Sequence, residues 1–92
     1  MRTFAFIQDP GHGWLRVPKA EFDAMDISDK ISTHSYQSDK YVFLEEDVDM
    51  GIFMDAREKA GIVTKTKPYQ NKSRESKIRK YPSYKPAILT VG

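Results

Sequence analysis

Hydrophobic and polar residues alternate through Thr3 to Ile7, which places Phe4 and Phe6 on one face of an extended segment and Thr3, Ala5 and Ile7 on the other. This pattern predicts a strand. Asp9-Pro10-Gly11 reads as a turn, since proline presets one backbone angle and glycine accepts the positive one that follows. Trp14 to Val17 alternates again, Leu15 and Val17 opposed to Trp14 and Arg16, so a hairpin is expected. Pro18 suits the first turn of a helix that Lys19 to Asp26 continues, with Phe22 and Met25 facing inward. Lys30 to Tyr36 is expected to be a strand, Gln37 to Lys40 its connection, and Tyr41 to Leu44 its antiparallel return.

The clearest helix follows Leu44. Asp47 is the expected N-cap, Val48, Ile52, Ala56 and Ala60 recur every four residues, and Gly61 offers the C-terminal stop. Ile62 to Lys67 and Ala87 to Val91 are expected strands. Trp14, Phe22, Phe43 and Phe53 are the expected core; Tyr36 and Tyr41 fit either the core or a partner contact. The expected class is α+β: residues 1–92 form a single small domain, an antiparallel sheet of about four to six strands with two helices on one face. Periodicity fades over 68–86, which is expected to be a basic loop or extension of that domain.

Composition adds boundaries. At 92 residues, 39% hydrophobic and 30% charged, the chain fits a small folded unit with a thin core. It has no cysteine, hence no disulfide framework, thiolate nucleophile or thiolate zinc site, and an intracellular home is expected. The start has no signal-peptide pattern and nothing approaches the roughly twenty apolar residues of a membrane span. A soluble protein of the cytoplasm, without a membrane partner, is the expectation.

Charge changes the picture more. Residues 1–60 carry twelve acidic and seven basic side chains, while residues 61–92 carry one acidic and eight basic, so the overall +2 hides a dipolar chain. The basic part contains Lys65, Lys67, Lys72, Arg74, Lys77, Arg79, Lys80 and Lys85, with Tyr69, Tyr81 and Tyr84 interspersed. Lysine and arginine bind phosphates and tyrosine stacks on bases, yet an acidic protein groove or a merely solvated face accounts for the same run. Glu45, Glu46, Asp47 and Asp49 form an acidic cluster that a helix N-terminus explains by itself, and that otherwise reads as a divalent-ion site, a surface that repels or mimics nucleic acid, or a docking patch for a basic partner. It lacks the spacing of a calcium loop.

His12, between Gly11 and Gly13, and His34 have neither the spacing nor the cysteine partners of a zinc site, and no motif sets a nucleophile beside them. They read as ordinary turn and surface histidines. No enzyme, cofactor, metal or small-molecule substrate is expected.

Three stretches, Gly11 to Pro18, Ile31 to Tyr36 and Phe43 to Asp49, resemble a family of small proteins carried by phages, prophages and other mobile elements. The likeness spans roughly residues 9–60 and rests on short motifs. It implies no particular reaction or fold; it implies a phage accessory protein, similar to the anti-CRISPR proteins in size and in reliance on charged surfaces. The expectation that follows is an inhibitor of host defence that occludes a CRISPR effector complex by stoichiometric binding. Lys72, Arg74, Lys77, Arg79 and Lys80 would meet guide-RNA phosphates or acidic protein, and Glu45, Glu46, Asp47 and Asp49 would meet basic residues of the complex. The alternative is a small accessory protein that binds free DNA or RNA.

Overall fold

Alternating segments separated by a four-residue turn can bury one face only by pairing, and the N-terminal hairpin does so. β1 (Arg2–Gln8) and β2 (Gly13–Pro18) are antiparallel, with Ile7 opposite Trp14 and Ala5 opposite Arg16. The structure is a computed structural model that describes residues 2–70 and 77–84. α1 (Lys19–Asp23) follows β2 directly and is shorter than expected; Phe22 is its buried residue.

The expected strand over Lys30 to Tyr36 is mostly absent. Ser28–Lys30 form a 3-10 turn, residues 31–35 are irregular, and only Tyr36–Gln37 pair as β3. Ser32 and Ser35 hydrogen-bond a buried carboxylate, which bends the backbone away from a ladder. β4 (Tyr41–Glu45) returns antiparallel, Tyr36 opposite Phe43, as expected.

α2 (Asp49–Lys59) then crosses to the opposite edge, where β5 (Thr64–Gln70) lies alongside β1. A helical crossover returns the chain in its original direction, so β5 runs parallel to β1. The sheet, ordered β3-β4-β2-β1-β5, is therefore mixed, where an antiparallel one was expected. The fold is α+β: one small five-stranded sheet with two helices.

α2 stops as expected at Gly61, whose φ of 75° is the left-handed conformation that glycine accepts. Its start and its inner face differ. Asp47 is not the cap, and the residue preceding the helix, Val48, makes no side-chain capping bond. Asp49, Phe53 and Arg57 are buried, whereas Val48 and Ala60 are exposed. The apolar stripe borders the true inner face, two of whose three residues are charged.

Phe22 and Phe53 pack on Phe4, Leu15, Val17, Val42 and Leu44 from the sheet, with Phe4 edge-on to Phe53 at 5.4 Å. The opposite face holds a smaller cluster of Trp14, Phe43 and Ile78, with Tyr36, Tyr41 and Tyr81 at its margin. All four expected core aromatics are thus buried, and both tyrosines pack within the fold.

Residues 77–84 are part of this domain. Lys77–Lys80 form a 3-10 turn, Tyr81 stacks on Phe43 at 5.2 Å, Ser83 bridges Tyr36, and Tyr84 reaches the helix-side core beside Phe22. The backbone amide of Tyr84 donates to the Ser35 carbonyl at 2.7 Å. The basic extension expected over 68–86 therefore begins within β5 and, over 77–84, clasps the β3 edge. The strand expected over Ala87 to Val91 lies outside the described residues. Among the described residues no helix is long and apolar enough to cross a membrane.

Candidate nucleic-acid interface and adjoining cleft

Strand register decides which charges share a face. Arg16 lies opposite Ala5, which lies opposite Lys67; Arg16 also faces Phe43, and Phe43 faces Tyr36. One row across the sheet is therefore Lys67, Ala5, Arg16, Phe43, Tyr36. The next row is Tyr69, Ile7, Trp14, Glu45, and Lys65 stands beside Thr3. All of these lie on the face away from the helices. Ile78 and Tyr81 cover its β4 side, while Arg16, Lys65, Lys67 and Tyr69 are exposed on its β2-β1-β5 side. Arg16 sits over the Tyr41 ring at 5.1 Å and Lys67 over the Tyr69 ring at 5.7 Å. Three cations and an exposed tyrosine thus line this side of the sheet, and among the described residues of β1, β2 and β5 that share the face none is a carboxylate.

At one end of this face three loops enclose a cleft of about 440 Å³ lined by His12, Trp14, Thr33, His34, Tyr36, Glu45, Asp47 and Val48. Each loop is held by polar side chains. Asp9 Oδ1 accepts the amides of Gly11 and His12, both at 2.9 Å, closing the first turn. At the start of α2 the buried Asp49 carboxylate accepts the Ser32 amide at 3.1 Å, the Ser32 hydroxyl at 2.7 Å and the Ser35 hydroxyl at 2.5 Å. Ser35 Oγ in turn accepts the Glu45 amide at 2.9 Å, and the Glu46 amide donates to the Gly13 carbonyl at 3.1 Å. Glu45 Oε1 accepts the Asp47 amide at 2.7 Å, shaping the third loop. The loops are cross-linked, so the cleft is built before any ligand arrives. On the helix side of the sheet Gly13 lets the Phe6 ring pack against its backbone, since a Cβ there would lie 2.5 Å from Phe6 Cζ.

The expected acidic patch is divided by this geometry. Glu46 and Asp47 are exposed and Glu45 is half-buried at the cleft, but Asp49 is fully buried and its carboxylate is committed to Ser32 and Ser35. Asp49 is a structural residue, not a contact for a partner. Of the expected basic contacts, Lys80 is exposed; Lys77 and Arg79 share its 3-10 turn, and Lys72 and Arg74 lie outside the described residues. The two ion pairs among the described residues, Arg2 with Glu21 and Lys59 with Asp55, involve none of these groups.

Arg16 was missed because it lies in the acidic half, and only strand pairing unites it with Lys65 and Lys67. His12 and His34 read separately as ordinary; the structure brings both to one cleft with Glu45 and Asp47. Among the described residues no group of His, Asp and Glu is arranged to hold a metal ion. No family model, curated protein or solved structure matches the chain.

Proposed function

We propose that this protein binds single-stranded nucleic acid across the open face of its sheet. The observation that carries the reading is the gathering of Arg16, Lys65, Lys67 and Tyr69, from distant parts of the sequence, on one exposed face. The cations neutralise phosphates and release counterions, and the Tyr69 ring offers a stacking platform that tolerates any base. A sheet rigid enough to be fixed by two clusters presents these groups without ordering a loop, which lowers the entropic cost of binding. This moves the free nucleic-acid reading ahead of occlusion of a CRISPR complex, because the acidic patch proposed for that role has lost Asp49. The inhibitor reading is retained as the second one, favoured by the exposure of Glu46, Asp47 and Lys80.

Titrating short single-stranded RNA and DNA over a salt series tests the proposal. Three phosphate contacts predict a slope of log K against log salt of about −2, at about −0.7 per phosphate for single strands. Replacing Lys65 and Lys67 by Gln flattens that slope by about 1.4 while the thermal melt stays in place. Failure to bind any strand at low salt, or an unchanged slope in the double variant, overturns it. Capture of a CRISPR effector complex by a protein that ignores naked strands transfers the case to the second reading.

A further inference from the structure

The cleft at the end of the sheet has a composition that neither phosphate binding nor core packing explains. It lies on the same face as the cations, at the Glu45 end of the row Tyr69, Ile7, Trp14, Glu45. Three strand spacings of about 4.8 Å separate β5 from β4, a distance that a few nucleotides cover. Trp14 and Phe43, which lie between Arg16 and the cleft, are buried with Ile78, so a strand held at Lys67 and Arg16 comes to the cleft beside that covered patch. There it meets carboxylates. Asp47 is exposed, and its carboxylate takes part in no hydrogen bond among the described residues; Glu45 uses its oxygens on the amides of Asp47 and Val48. A phosphate is repelled by this charge, whereas a base edge rich in N–H donors is attracted to it.

We infer that the cleft is a recognition pocket for guanine. A carboxylate has two oxygens and only accepts, so it is matched by two donors side by side. Guanine alone among the four bases has them, as N1–H and the N2 amino group of its pairing edge. Adenine and cytosine put an acceptor beside their amino group, and uracil has a single N–H between two carbonyls. The rings of His12, His34 and Tyr36 line the same cleft and offer π faces for the purine. Because the three loops are already tied together by Asp49, Ser35 and the Gly13 carbonyl, the pocket does not have to be ordered by its ligand.

This inference rests on the nucleic-acid reading, and the experiment separates the two. Oligouridine strands carrying one central guanine, inosine or adenine are titrated against the full chain, together with the free nucleotide GMP and an arginine-rich peptide. The guanine strand is expected to bind about ten-fold more tightly than the adenine strand, consistent with one charge-assisted pair of hydrogen bonds. Inosine, which lacks the N2 amino group, falls with adenine. The Asp47→Asn protein binds guanine and adenine strands alike, and His12→Ala, on an exposed turn, weakens the guanine strand more than the adenine one. Equal affinity for all three strands overturns the pocket while leaving the sheet face intact, and so does a preference for the arginine peptide over GMP. Binding of GMP by a protein that holds no strand keeps the pocket and removes the sheet reading.

Discussion

Asp49 ties the start of α2 to the loop that precedes β3. It is fully buried, and its two oxygens accept from one backbone amide and two hydroxyls on a loop 14 to 17 residues earlier in the chain. Charge-assisted hydrogen bonds of this kind are each worth about 1.5–3 kcal/mol, and removing the acceptor strands buried donors. Asp49→Ala is therefore expected to lower the unfolding free energy by about 3–5 kcal/mol in chemical denaturation. A loss below about 1 kcal/mol would show that water replaces the carboxylate without difficulty. No pattern in the sequence marks this residue. Asp49 sits in a run of carboxylates that looks uniform, and its burial depends on two serines whose own segment reads as a strand.

At the level of elements, Arg2 of β1 and Glu21 of α1 form a two-point ion pair, at 2.6 and 2.7 Å, that pins the short helix to the first strand. The hydrogen bonds from Arg2 hold the Glu21 carboxyl below its ordinary value of 4.5; partial burial opposes them, and the charges of Arg2 and Arg57 assist. A depressed carboxylate stabilises the fold above its unfolded pKa, and that contribution is lost as the pH falls through the folded one. Glu21→Gln is thus expected to cost about 0.5–1 kcal/mol at neutral pH, the modest value of a pair that stays open to solvent. Denaturation curves of the two proteins should converge as the medium becomes more acidic than the ordinary carboxyl value; a gap that persists there would assign the loss to packing. α2 teaches a related lesson about periodicity. Its boundaries near Gly61 were legible from glycine chemistry, but its inner face was not, because Arg57 is buried against Phe4 and Phe53 and hydrogen-bonded to Thr64. A stripe drawn through apolar residues alone passes beside it.

For the whole molecule, the decisive feature is that the described part of the basic half lies against strands of the acidic half. β5 brings Lys65 and Lys67 beside β1, one strand away from Arg16, and residues 77–84 fold back over the β3 edge. Tyr84 anchors that return: its ring is edge-on to Phe22 at 5.5 Å, and its hydroxyl shares a hydrogen bond with Ser28. Tyr84→Ala is expected to destabilise the protein by about 3 kcal/mol, as for other buried aromatics, and to make the C-terminal segment more sensitive to protease. An unchanged melt would return this segment to the status of a free extension. The sequence by itself determined the hairpin, the presence of both helices, the return of β4 and the burial of Trp14, Phe22, Phe43 and Phe53, since each follows from local periodicity, aromatic side chains, glycine and proline; the burial of Tyr84 it did not. Only the tertiary structure decided that β5 runs parallel to β1, that Asp49 is interior, and that two histidines and two carboxylates share one cleft. Those facts depend on which distant segments pair, and pairing is set by the burial of whole faces, which no window of neighbouring residues contains.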